Sequence, residues 1–117
     1  MNILVVDDDE LIRESLVPML EILGHGAQAV PGGLEAMAAM QSGLVPDLVI
    51  LDMNMPGLNG AETLARIKAH RPGQMVLLSS GFNDHEVAGL VHAHPGVHSI
   101  QKPFSMSELR NKLEAIG

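Results

Sequence analysis

The chain has 117 residues, 46% of them hydrophobic, which is the length of one compact domain with enough apolar material for a core. A formal charge of -7 with only 7 Lys and Arg argues against a nucleic-acid surface, and two Phe with no Trp or Tyr leave no platform for stacking bases. The absence of Cys excludes a disulfide framework and thiolate metal sites, and no apolar run nears the roughly 18 residues of a membrane span, so a cytoplasmic location is the default expectation.

Residues 2 to 6, NILVV, read as a strand that ends on Asp7, Asp8 and Asp9. From Glu10 to Leu23, apolar residues recur at Ile12, Leu16, Met19, Leu20 and Leu23, the stripe of an amphipathic helix. Pro18 interrupts that helix and predicts a kink or a solvent-facing irregularity. Ala27 to Val30 form a weaker second strand, Pro31 and Gly32 turn the chain, and Leu34 to Met40 make a short helix. Asp47 to Leu51 is a nearly continuous apolar run, as expected of a central parallel strand covered on both faces, and it meets Asp52 and the loop MNMPGLNG.

A third helix is predicted over Ala61 to His70, and Met75 to Ser79 is again a buried-type strand, followed by Ser80 and Gly81. Asp84 to His92 reads as a fourth helix capped by Asn83 or Asp84, and Val97 to Gln101 as a fifth strand leading to Lys102. Ser105 and Glu108 form a capping box that opens a last helix through Ile116. Eight Met fill core gaps.

Five strands alternating with five helices predict an α/β fold, a doubly wound five-stranded parallel sheet of flavodoxin-like (βα)5 type with strand order 2-1-3-4-5. Its strands would share one carboxyl edge, bringing Asp7, Asp8, Asp52, Ser80 and Lys102 together. Carboxylates that close raise one another's pKa unless a cation neutralises them. An all-oxygen set with room for waters and a phosphate oxygen suits Mg²⁺ better than zinc. A carboxylate beside such a cation can attack phosphorus, which makes Asp52 the candidate nucleophile, with the ammonium of Lys102 and the hydroxyl of Ser80 stabilising charge on the phosphoryl oxygens. Gly81 leaves space for the phosphate, and Gly57 and Gly60 around Pro56 supply turn geometry beside the site.

In order and approximate spacing, VVDD at 5 to 8, LD-x-x-MPG at 51 to 57 with Gly60, LSSG at 78 to 81 and KPF at 102 to 104 resemble the receiver domains of two-component response regulators over the whole chain. The resemblance implies that Asp52 accepts phosphate, that Asp8 binds Mg²⁺ directly and Asp7 directly or through water, and that the Asn54 carbonyl is a further metal ligand. It also implies that Ser80 is the signalling hydroxyl, that Lys102 binds phosphate, and that the Lys102–Pro103 peptide is cis. One departure is Ser99, where many receivers carry Tyr or Phe. A second is Phe82, whose bulk beside an acyl phosphate is expected to slow hydrolysis.

Other acidic and basic residues have plainer readings. Asp9 is a helix N-cap, Asp47 a solvated turn residue, and His92, His94 and His98 solvated histidines rather than a metal cluster. Val87, Leu90 and Val91 cover the sheet. The expected function is a phosphoacceptor switch. Asp52 takes a phosphoryl group from a sensor histidine kinase or a histidine phosphotransfer protein with Mg²⁺, and the switch signals to a downstream protein through a changed surface without nucleic-acid or membrane contact. Residues 1–117 are read as one receiver unit with no output domain. The rivals are a phosphate-independent receiver-like scaffold, a phosphatase using an Asp-x-Asp pair at Asp7 and Asp9, and a nucleotide or flavin binder, which lacks a glycine-rich phosphate loop.

Overall fold

Alternating short strands and helices are laid down in a strict order along the chain. The computed structural model describes residues 1–81 and 86–117. Its elements are β1 (Asn2–Val6), α1 (Glu10–Ile22), β2 (Gly26–Val30), α2 (Gly33–Gln41), β3 (Leu48–Asp52), α3 (Gly60–His70), β4 (Val76–Ser80), α4 (Glu86–Ala93), β5 (Val97–Gln101) and α5 (Met106–Ile116). All four strand pairings are parallel and the order is β2-β1-β3-β4-β5, the arrangement expected from sequence. The weak strand β2 lies at an edge, with Gly26 and Gln28 exposed.

Side chains alternate across the sheet, and each face buries its own cluster. Leu4, Val6, Val49, Leu51, Val76 and Leu78 pack on one face against Met37, Met40, Leu64, Ile67 and Val87 of α2, α3 and α4. Ile3, Val5, Ile50, Leu77 and Ile100 pack on the other against Leu16, Leu20, Leu109 and Leu113 of α1 and α5. Each fully buried Leu or Ile contributes about 1.5–3 kcal/mol by leaving water, so the two layers hold the sheet rigid beneath its edge. Leu90 and Val91 pack against the first cluster beside Val87, in the covering role read for them.

Helix starts follow local chemistry. The Asp9 side chain accepts from the Leu11 N–H as the N-cap of α1, and Ser105 with Glu108 forms the capping box of α5. A second capping box, Asn59 with Glu62, opens α3 one residue earlier than predicted. Pro18 is exposed and α1 continues past it to Ile22, because the missing N–H falls on the solvent side. Asp47 is exposed, and its Oδ2 accepts from the Asn2 N–H at 2.6 Å, which ties the start of β1 to the start of β3.

Candidate functional site

Asp52 is the last residue of β3 and is 4% exposed, held by pairing to β4 on one side and by the β1–β3 ladder just beneath it. Its Oδ1 accepts from the Asn54 N–H at 3.2 Å and from the Lys102 ammonium at 3.0 Å, while no hydrogen bond reaches Oδ2 among the described residues. Asp7 follows β1 and is also buried. Its Oδ1 accepts from the Asp9 N–H at 2.9 Å and its Oδ2 from Lys102 at 3.2 Å. Its backbone is fixed twice: the Asp7 N–H donates to the Val30 carbonyl at 3.2 Å, and Arg13 of α1 donates to the Asp7 carbonyl at 2.8 Å.

Asp8 is exposed, and one carboxylate oxygen from each of Asp7, Asp8 and Asp52 lies within 4.8 Å of the other two. The Lys102 backbone N–H donates to the Ser80 carbonyl at 2.7 Å, which anchors the lysine just beyond β5. From there its ammonium crosses the end of β4 to reach β3 and β1. The Lys102–Pro103 peptide is cis. Ser80 closes β4 and is buried at the same edge. Asn54 is exposed in the loop that leaves Asp52.

Burial raises the Asp52 carboxyl above its ordinary value; hydrogen bonds from Lys102 and Asn54 and the charge of Lys102 oppose this, and the charge of Asp7 adds to it. For Lys102, burial pulls the ammonium down, but the hydrogen bond and charge of Asp52, joined by those of Asp7, outweigh it and raise the pKa. Two buried carboxylates, Asp7 and Asp52, thus share the ammonium of Lys102. A hard divalent cation fits the remaining negative charge, since every candidate donor is oxygen and neither Asp52 Oδ2 nor the Asp8 carboxylate has a protein hydrogen bond among the described residues.

Gly60 has a different role from the turn geometry expected of it. A Cβ there would lie 2.5 Å from Met53 Cα and 2.8 Å from the Asp52 carbonyl oxygen, so α3 begins directly on the backbone at the end of β3. Gly57, at φ +73, does supply a left-handed turn. Asp9 turns away from the acidic group to cap α1, which leaves an Asp-x-Asp hydrolase pair without its second member. His92 is exposed, and His94 and His98 are half-buried. Phe82 and the cap residues Asn83 and Asp84 lie outside the described residues. Sequence reading missed Arg13 and the Asn59–Glu62 box; the pattern N-x-x-E at 59 to 62 was a signal for the second, whereas nothing local marked the first.

A parallel sheet in the order 2-1-3-4-5, with an acidic cluster and a lysine at its carboxyl edge, defines a flavodoxin-like α/β domain with a charged site at the position where this fold binds ligands. The sequence matches the family model described as "Response regulator receiver domain" over residues 3–114, and the chain belongs to that family. It is 32% identical over 118 residues to response regulator MprA of Mycobacterium avium, a match covering 99% of this chain and 50% of that protein. Among solved structures, a response regulator receiver domain protein from Clostridium thermocellum superposes with a TM-score of 0.89 at 28% identity, covering 98% of this chain and 92% of that one. Response regulator TrrA from Thermotoga maritima, solved in complex with Mg²⁺–BeF, gives 0.85 at 32% identity, with 99% and 98% covered. The chain spans half the length or less of the first curated relatives it matches. Among the described residues no helix is long and apolar enough to cross a membrane.

Proposed function

We propose that this receiver takes a phosphoryl group from the phosphohistidine of a sensor kinase or phosphotransfer protein onto Asp52. The nucleophile is Oδ2, the carboxylate oxygen without a protein hydrogen bond among the described residues. It attacks phosphorus as the N–P bond breaks, and the released imidazole carries away the bonding pair and takes up a proton. The observation that carries this reading is the Lys102 ammonium, 3.0 Å from Asp52 and 3.2 Å from Asp7 although it comes from the far strand. It can follow the charge as it moves from carboxylate to phosphoryl oxygens. Asp7, Asp8 and Asp52 with the Asn54 carbonyl would hold Mg²⁺, which supplies positive charge against the incoming phosphoryl group.

The donor docks beside the acceptor. An apolar groove formed by Leu11, Ile12, Leu16 and Met19 of α1 with Phe104 has Lys102 on its rim, and Leu11 is 72% exposed. A helical donor protein of apolar surface fits this groove with its phosphohistidine over Asp52. Ser80 passes the state of the site to α4 and β5, where Ser99 stands in place of a ring, and a downstream protein reads the altered face. The net charge of -7 supports a protein target rather than direct nucleic-acid contact.

Incubation of the chain with acetyl phosphate and Mg²⁺, followed by intact mass measurement, tests the assignment. One added phosphoryl group on the wild type and none on Asp52→Asn is the expected result. A wild type that stays unmodified, or an Asp52→Asn variant that is modified equally, overturns it and favours a phosphate-independent scaffold.

A further inference from the structure

β4 ends on two serines, and the mechanism above uses one. Ser79 is 2% exposed and its Oγ has no hydrogen-bond partner among the described residues, an unfavourable state for a buried hydroxyl. Its place is specific. Ser79 is the register partner of Asp52 on the neighbouring parallel strand, about 4.8 Å away across the ladder. Ile50 and Leu77, one pleat below, lie in the same core cluster, so alternation puts Asp52 and Ser79 on the same face of the sheet. Ser80 faces the other way, with Leu78. The Lys102 side chain crosses the end of β4 on its way to Asp52 Oδ1.

We propose that the Ser79 hydroxyl is a working part of the site, donating to Oδ1 of Asp52 once that residue carries a phosphoryl group; this rests on the reading of Asp52 as the acceptor. In the resting state Oδ1 takes hydrogen bonds from Lys102 and Asn54. When Oδ2 forms the P–O bond, Oδ1 becomes a neutral acyl carbonyl oxygen and the charge moves to the phosphoryl oxygens, which draw the ammonium toward them. The position vacated on Oδ1 is open to the neighbouring hydroxyl by rotation about χ1.

That hydrogen bond has a direction of effect. On hydrolysis, water attacks phosphorus, the P–Oδ2 bond breaks with its electron pair returning to the carboxylate, and the water proton leaves with inorganic phosphate or solvent. Negative charge grows on Oδ1 as the bond breaks, and a donor to a charged oxygen is stronger than one to a neutral carbonyl. Ser79 therefore stabilises the transition state more than the acyl phosphate and shortens the life of the signal.

Wild type, Ser79→Ala, Ser79→Val and Ser79→Thr are phosphorylated with acetyl phosphate and Mg²⁺, excess donor is removed, and decay is followed by intact mass. Val and Thr have the same shape, so their difference reports the hydroxyl alone. The acyl phosphate of Ala and Val is expected to last about fivefold longer, with Thr returned to the wild-type lifetime. Isotope-edited infrared spectra of ¹³C-aspartate samples should place the acyl carbonyl band at higher wavenumber in Ala and Val than in wild type and Thr, a shift that altered packing does not produce. Equal lifetimes in Val and wild type, or Thr behaving as Val, overturn the role of Ser79 alone. A wild type that accepts no phosphoryl group overturns the acceptor assignment and this role with it.

Discussion

Replacing Lys102 with Met removes the ammonium that Asp7 and Asp52 share while keeping most of the apolar stem. At 3.0 and 3.2 Å the two ion pairs are worth about 5.5 and 5 kcal/mol gross at an effective dielectric constant of ~20. Taking the ammonium out of water costs several kcal/mol of this, and its side chain is 25% exposed, so screening trims the remainder to a net loss of about 2 kcal/mol. The pH dependence distinguishes charge from packing. The stabilisation by Lys102, whose pKa is raised, is intact at neutral pH and is lost only as pH rises through its folded value. The buried Asp52 carboxyl, also raised, costs nothing in acid and progressively destabilises the fold as pH rises through its folded value. Lys102 is its main opposing influence, so the variant's deficit should be about 2 kcal/mol near pH 7 and close as pH falls below the ordinary aspartate range. Urea unfolding across that range measures it, and added Mg²⁺ should narrow the gap by replacing the missing cation. A deficit that persists unchanged in acid, or none at neutral pH, refutes the electrostatic account.

Gly60→Ala should cost about 1–3 kcal/mol in urea unfolding, because its Cβ meets backbone rather than a side chain that can swing aside; a neutral result would mean that α3 shifts freely against β3. Asp9→Ala should lower stability by about 1 kcal/mol through loss of the α1 cap while leaving the yield of phosphorylated chain unchanged, and a large loss of Mg²⁺ affinity would instead make Asp9 a ligand. Leu11→Glu should slow transfer from a phosphorylated donor protein by tenfold or more and leave the reaction with acetyl phosphate as it was, since only the macromolecule uses the groove. Equal slowing of both reactions would place the fault in Asp52 itself.

The fold was legible because four of the five strands are short apolar runs that meet a polar residue, and the helices between them carry a start signal or an apolar stripe. Asp52, Asp7 and Lys102 follow from the sequence as neighbours, since parallel strands have a common carboxyl edge. Boundaries slipped by a residue at β3 and β4, where Asp52 and Ser80 continue the ladder although their side chains are polar. The facing of Ser79 and Ser80 was hidden for a related reason. VLLSS is buried on both sides, so it has no two-residue hydrophobic alternation, and only the register shows which serine stands beside Asp52. Gln74 was equally silent: its side chain donates to the Pro46 and Met75 carbonyls, a link 28 residues long in one direction that no local pattern announces.

Lys102 is 50 residues downstream of Asp52 and 95 downstream of Asp7. At the ~5–20 residues per second of synthesis, the acidic tips leave the ribosome several seconds before their counterion exists. The nascent chain thus carries an unbalanced cluster of negative charge until its last strand docks, and competence to receive a signal arrives together with completion of the sheet.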